Sequence, residues 1–171
     1  MVAERLGVPT FVVRTSLSGR EHVEGYLVIE QVPLVDYLVL GDGGQYLVAH
    51  ECGACGARFF DRRNACAACG GTQFATVRVA TEGVVRAFTI VSLAAPGIPV
   101  PFVASVVDCD GTSVRGNLVN VEPSPEHVKL GMKVRLTTVP VGTDSGGTEA
   151  IGFGFEPLGS SSTAMEDDDG R

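Results

Sequence analysis

Four of the five cysteines in this 171-residue chain fall as two tight pairs, Cys52 with Cys55 and Cys66 with Cys69. A thiolate is a soft, charged ligand, and four of them at tetrahedral angles match the preference of zinc, with Zn–S distances of about 2.3 Å. Two residues between the members of a pair let both sulfurs of one turn reach one ion. Gly56 and Gly70 each follow a pair directly, and glycine takes the positive φ angles that point backbone amides back at the sulfurs. Ten residues, 56–65, separate the pairs. That is enough for a short hairpin, so the segment is expected to be a zinc ribbon. With four protein ligands and no open position, the zinc is expected to be structural.

Other readings of the same cysteines are a chance cluster of reduced thiols, a redox dithiol, and an iron site of the rubredoxin kind. None explains both pairs as well. Iron would use the same four sulfurs, but the spacer is much shorter than in ordinary rubredoxins, which favours zinc. The fifth cysteine, Cys109, lies between Asp108 and Asp110 at an expected hairpin turn with no histidine near it in sequence, and reads as an ordinary thiol.

The rest of the catalytic inventory is thin, and no catalytic residue is assigned. His22, His50 and His127 are scattered. His50 could stand behind the metal ligands, although a plain strand histidine is the simpler reading, and His127 is expected to face solvent. No nucleophile elbow, phosphate loop or dinucleotide fingerprint occurs, and Asp108 with Asp110 reads as turn chemistry. Arg86, Arg115 and Arg135 lie on separate expected strands, with Lys133 beside Arg135. They either converge on one barrel face to meet a phosphate or remain solvated outer-face positions, the commoner fate of such residues.

The elements that must position these residues read as short strands, rich in Val, Thr and Phe and broken by glycine or proline. The chain holds 22 glycines and no tryptophan. Apolar stretches occur at Val8 to Val13, Tyr26 to Ile29 and Tyr37 to Leu40. The last is expected to pair with Tyr46 to Ala49 across Gly41-Asp42-Gly43-Gly44, a hairpin running straight into Cys52. Beyond the cysteines, Gly83 to Val91, Phe102 to Asp108, Ser113 to Val119, Lys133 to Val139 and Glu149 to Phe155 read as five strands. Ser124 to Gly131 reads as one or two helical turns, with serine as cap, proline at the first position and glycine at the exit. Five strands with a short helix between the third and fourth are the layout of an OB-fold. Val141 to Thr148 is expected to be a glycine-rich mobile loop.

The expected fold class is therefore mostly β, a rubredoxin-like zinc ribbon followed by a five-stranded OB-fold barrel. Four segments divide the chain: an N-terminal arm, partly irregular, over 1–36; the ribbon with its flanking hairpin over 37–80; the barrel over 81–157; and a disordered acidic tail over 158–171. At 171 residues with 44% hydrophobic and 19% charged residues, a core can form. The net charge of −7 works against nonspecific binding to nucleic acid, and removing the terminal run Glu166 to Asp169 leaves no strongly basic body. No apolar run approaches the roughly 20 residues that span a bilayer, and the N-terminus lacks a basic segment followed by a long apolar stretch. No membrane association and a cytoplasmic location are expected.

In order of parts, the chain resembles a bacterial and archaeal family long called domain of unknown function thirty-five, which joins a rubredoxin-like zinc ribbon to an acyl-CoA-associated OB-fold. The resemblance covers about residues 35–157. It rests on Gly83-Val84-Val85-Arg86-Ala87-Phe88-Thr89-Ile90-Val91 opening strand one, Pro101-Phe102 opening strand two, Leu130-Gly131-Met132-Lys133-Val134 entering strand four, and Phe155-Glu156-Pro157 closing. In the ribbon, Phe60-Asp61-Arg62-Arg63 stands where the family has a phenylalanine, two prolines and an arginine, and Ala67-Ala68 stands where a proline is common. These departures spare every cysteine. The resemblance implies a noncatalytic accessory subunit that partners a thiolase-like protein, whether thiolase, acyltransferase or aldolase, in a hetero-oligomer, with acyl-CoA at the shared interface. The competing functions are a single-stranded nucleic-acid-binding protein, since ribbons and OB-folds both serve there, a stand-alone acyl-CoA-binding protein, and a small enzyme using Cys109.

Overall fold

The computed structural model describes residues 11–12, 28–41 and 43–159. Two short strands, β1 (Phe11–Val12) and β2 (Val28–Ile29), pair antiparallel. His22 and residues 160–171, expected as acidic tail, lie outside the described residues.

The expected hairpin forms between β4 (Leu38–Val39) and β5 (Tyr46–Cys52), with Leu38 opposite Leu47 and Val39 opposite Tyr46. Its turn closes when Gly44, at φ 95°, donates its N–H to the Gly41 carbonyl (2.9 Å). β5 alternates buried and part-buried residues, then pairs with β6 (Arg58–Phe59) on one side and β7 (Phe74–Arg78) on the other. These strands frame the two cysteine turns.

The five strands expected beyond the cysteines are all present: β8 (Glu82–Val91), β9 (Phe102–Cys109), β10 (Thr112–Leu118), β11 (Lys133–Thr143) and β12 (Glu149–Pro157). β8 pairs with β9, β9 with β10, β10 with β12, β12 with β11 and β11 with β8, so the sheet closes on itself. The β10–β12 contact is parallel and short, Asn117 opposite Gly154 and Leu118 opposite Phe155. This closed five-stranded order is that of an OB-fold barrel, a solution that removes exposed strand edges. A bulge between Val85 and Ala87 increases the bend of β8. An added strand, β3 (Gln31–Pro33), lies parallel to β12 at its Glu149–Ile151 end, fixed by Gln31 Nε2 donating to Glu149 Oε2 (2.7 Å). Part of the segment expected as an arm thus packs on the chain's own barrel.

Two local expectations are corrected. Ser124 to Gly131 makes a single hydrogen-bonded turn, with Val128 and His127 both donating to the Ser124 carbonyl (3.0 and 3.2 Å), and no helix forms among the described residues. The Ser124 hydroxyl bonds the His127 ring (2.9 Å) rather than capping a backbone amide, and Gly131 at φ 80° ends the segment. Val141 to Thr148 is not wholly a loop: β11 continues through Thr143, and the turn is compressed onto the Asp144 carboxylate, which accepts from the amides of Gly146 (2.8 Å) and Thr148 (2.9 Å).

One core serves both halves. Leu38, Leu47 and Ala49 from the hairpin belong to the same buried cluster as Val79, Val85, Val107, Val128, Val134 and Phe155. Tyr37 links them further, its ring 4.8 Å from Phe60 of the ribbon and 6.0 Å from Phe153 of the barrel. Arg58 adds a polar link: it pairs with Glu51 (2.6 Å) and reaches Thr112 Oγ1 (3.0 Å) on β10.

The strand crossing at Gly83 is close enough that a Cβ there would stand 2.6 Å from the Asp108 carbonyl and 2.9 Å from Cys109 Sγ. Gly83→Ala is expected to destabilise the fold by about 1–3 kcal/mol, as overpacking of a rigid core does, read as a lowered urea midpoint with unchanged slope.

Candidate metal centre

The four cysteines expected as ligands come together. Their sulfurs all lie within 4.8 Å of one another, and the Cys52–Cys69 and Cys55–Cys66 separations are both 3.6 Å. Four sulfurs at about 2.3 Å from a central ion stand about 3.8 Å apart at tetrahedral angles. The cluster therefore fits one structural zinc with little movement.

Each pair sits in the same backbone turn. Gly56 donates to the Cys52 carbonyl and Gly70 to the Cys66 carbonyl, both at 2.8 Å, with φ of 73° and 75°. The positive φ turns the following chain back beside the sulfurs, so the amides of Ala68 and Gly71 point at Cys66 Sγ (3.4 Å) and Cys69 Sγ (3.5 Å). Such N–H groups stabilise thiolate charge from outside the ligand set. Cys52 and Cys66 are buried while Cys55 and Cys69 are exposed, so the site lies at the surface with one sulfur of each pair held inside. Gly71 leaves room for this: a Cβ there would come within 3.3 Å of Cys52 Sγ.

The thiols ionise unequally. Burial opposes ionisation of Cys66, but the amides of Ala68 and Cys69 and the neighbouring thiols of Cys55 and Cys69 outweigh it and bring it down to about 7. The Ala57 amide favours the Cys55 thiolate, yet the thiols of Cys69 and Cys66 push that group up to about 12. Four negative sulfurs this close repel one another, and a dication at their centre is what makes four thiolates favourable together.

Asp61 and Arg62, which stand where the resembled ribbon has its prolines, are flanked by two side-chain contacts. The Arg63 guanidinium lies 4.4 Å from the centre of the Phe59 ring, and Phe60 packs on Tyr37.

Among the described residues, the others singled out do not assemble into a second site. His50 lies on β5 opposite Phe59 and Thr76 and is not part of the sulfur cluster. His127 is exposed and near Ser124 and Glu122. Arg86 donates two bonds to Asp108 Oδ2 (3.1 and 2.8 Å), and Arg135 donates to Glu156 (2.6 Å). Asp108 also accepts from Gly111, and its carboxyl is lowered, first by the Arg86 hydrogen bonds and then by that amide. Two of the four cations considered for a phosphate are thus committed within the chain. Cys109 is 1% exposed, and burial, with the charge of Asp108, pushes its thiol up to about 11. Sequence reasoning missed Arg58, because its partners Asp110 and Thr112 lie far along the chain on an element whose approach only the fold reveals.

Comparison with known proteins agrees with this architecture. Residues 45–75 match the family model described as "ChsH2, rubredoxin-like zinc ribbon domain", and residues 76–139 match "ChsH2, C-terminal OB-fold domain". Among solved structures, a chain described as "Ltp2-ChsH2(DUF35) aldolase" is similar at 26% identity and a TM-score of 0.52, over 66% of this chain and 84% of that one. None of the curated proteins matches. Among the described residues, no helix is long and apolar enough to cross a membrane.

The difference between ligand cysteines and Cys109 is measurable by thiol counting. Native metal-loaded protein at pH 8 is expected to react slowly with a thiol reagent, to expose four reactive thiols on chelation, and to release the fifth only in denaturant. Five thiols on chelation alone would contradict the burial of Cys109.

Proposed function

The chain belongs to the ChsH2 family of zinc-ribbon and OB-fold proteins, and on that footing we propose that it is a noncatalytic accessory subunit of a thiolase-like complex that processes acyl-CoA. The observation that carries this reading is the similar solved chain, whose description joins ChsH2 to Ltp2 in an aldolase. In this chain the ribbon match precedes the barrel match, in keeping with a barrel model described as C-terminal, which supports a common mode of assembly.

The chemistry of the described residues supports a supporting role. A zinc held by Cys52, Cys55, Cys66 and Cys69 has no open position, so it organises the ribbon rather than activating water or substrate. Cys109 lacks both access and a base: it is buried, its thiol is harder to ionise than usual, and the neighbouring carboxylate discourages thiolate formation. Asp108, which flanks it, is occupied by Arg86 and the Gly111 amide. The reacting groups therefore come from the partner, and this chain completes or stabilises the partner's assembly and contributes to the wall of its acyl-CoA channel.

Co-expression with a thiolase-like protein encoded beside this chain, followed by size-exclusion chromatography and assay, tests the proposal. One co-eluting species whose partner loses activity without this chain is expected. Two independent peaks with unchanged partner activity would overturn it.

A further inference from the structure

From Ala87 to Val107 the sequence contains no Asp, Glu, Lys, Arg or His, in a chain whose net charge is −7. This run comprises the second half of β8, most of β9 and the loop between them. Along β9, Val103, Ser105 and Val107 are buried in the barrel while Ala104 and Val106 alternate with them and face outward. A solvated strand face is ordinarily polar at such positions. The register sets Ala87 beside Val106 and Arg115, and Thr89 beside Ala104 and Asn117. Those six residues line a shallow groove of about 540 Å³ across β8, β9 and β10. At the loop end of the same strands, Leu93 is 88% exposed, Ile98 51% and Val100 43%. Apolar side chains this exposed, on the loop that joins two of the groove's own strands, mark an interaction surface.

We infer that the outer face of β8–β10, with the loop over residues 92–101, is where the thiolase-like partner docks. This rests on the accessory-subunit reading and names the surface that serves it. Charge selects the occupant. The centre of a stable protein interface is depleted of charge, and this is the part of an acidic chain that would not repel a neutral or acidic partner. Arg115 stands at the groove edge with no ion pair among the described residues, whereas Arg58, Arg86 and Arg135 are each paired. It therefore calls for a carboxylate on the incoming surface. A bilayer fits less well, because membrane-binding faces are rimmed with several basic residues and this one offers a single arginine. A second copy fits less well too, since no acidic side chain lines the groove to meet its Arg115.

The test is co-purification of the full zinc-loaded chain with its tagged thiolase-like partner, followed by measured affinity. Leu93→Asp, Ala104→Glu and Arg115→Glu are compared with Lys129→Glu, an exposed change on the segment between β10 and β11. Leu93→Asp and Ala104→Glu are expected to weaken association at least tenfold and Arg115→Glu severalfold, with Lys129→Glu unchanged. Leu93 is too exposed for its replacement to unfold the barrel, and zinc content with a thermal melt verifies each variant. Native affinity in the Leu93 and Ala104 variants would overturn the inference while leaving the accessory role standing. Failure of the unaltered chain to associate would overturn that role and, with it, this surface. Two further results overturn the inference: a homodimer of the chain alone that Leu93→Asp dissociates, or flotation with vesicles of phosphatidylcholine and phosphatidylglycerol that Leu93→Asp abolishes.

Discussion

Four sulfur atoms sharing one dication are the constraint from which the ribbon half of this molecule follows. The segment from Tyr46 to Arg78 contributes three short strands and two turns, too little apolar surface to offset its own conformational entropy, which runs to about 1–2 kcal/mol for each backbone residue ordered. A structural zinc in small cysteine-rich modules supplies about 10–16 kcal/mol of apparent binding free energy at neutral pH. That is comparable with the whole net stability of an ordinary domain, about 5–15 kcal/mol. Metal binding therefore decides whether the ribbon is ordered, and packing decides how it sits on the barrel.

The junction is built from ordinary side chains. Leu38, Leu47 and Ala49 extend the barrel core into the ribbon, Tyr37 stacks between Phe60 and Phe153, and Arg58 bridges Glu51 to β10. The two halves are thereby held in a definite relation. The short parallel contact between β10 and β12 closes the barrel, and β3 covers the stretch of β12 at Glu149–Ile151 that this contact leaves open.

Much of this was legible in the residues. Cysteine pairs with a glycine after each, strand-length runs of β-branched residues, and turn signals such as Gly41-Asp42-Gly43-Gly44 each carry a local physical requirement that one sequence displays. The family resemblance added the expectation of a thiolase-like partner, which the proposed function takes up. What was not legible depended on long-range packing. The pairing of Gln31–Pro33 with β12 arises because an open sheet edge accepts any compatible strand, and no local pattern announces it. The short segment after Ser124 carried good helix signals but makes only one hydrogen-bonded turn before Gly131. The continuation of β11 through Pro140 and Gly142 reads locally as a loop, yet a bulge opposite β12 accommodates it.

The account stands most directly on the contents of the sulfur cluster. Metal analysis of freshly purified protein combined with X-ray absorption at the metal edge measures both the ion and its neighbours. One zinc per chain surrounded by four sulfurs at about 2.3 Å is the predicted result. Metal well below one equivalent, or a shell containing nitrogen or oxygen donors in place of any of the four cysteines, would contradict it.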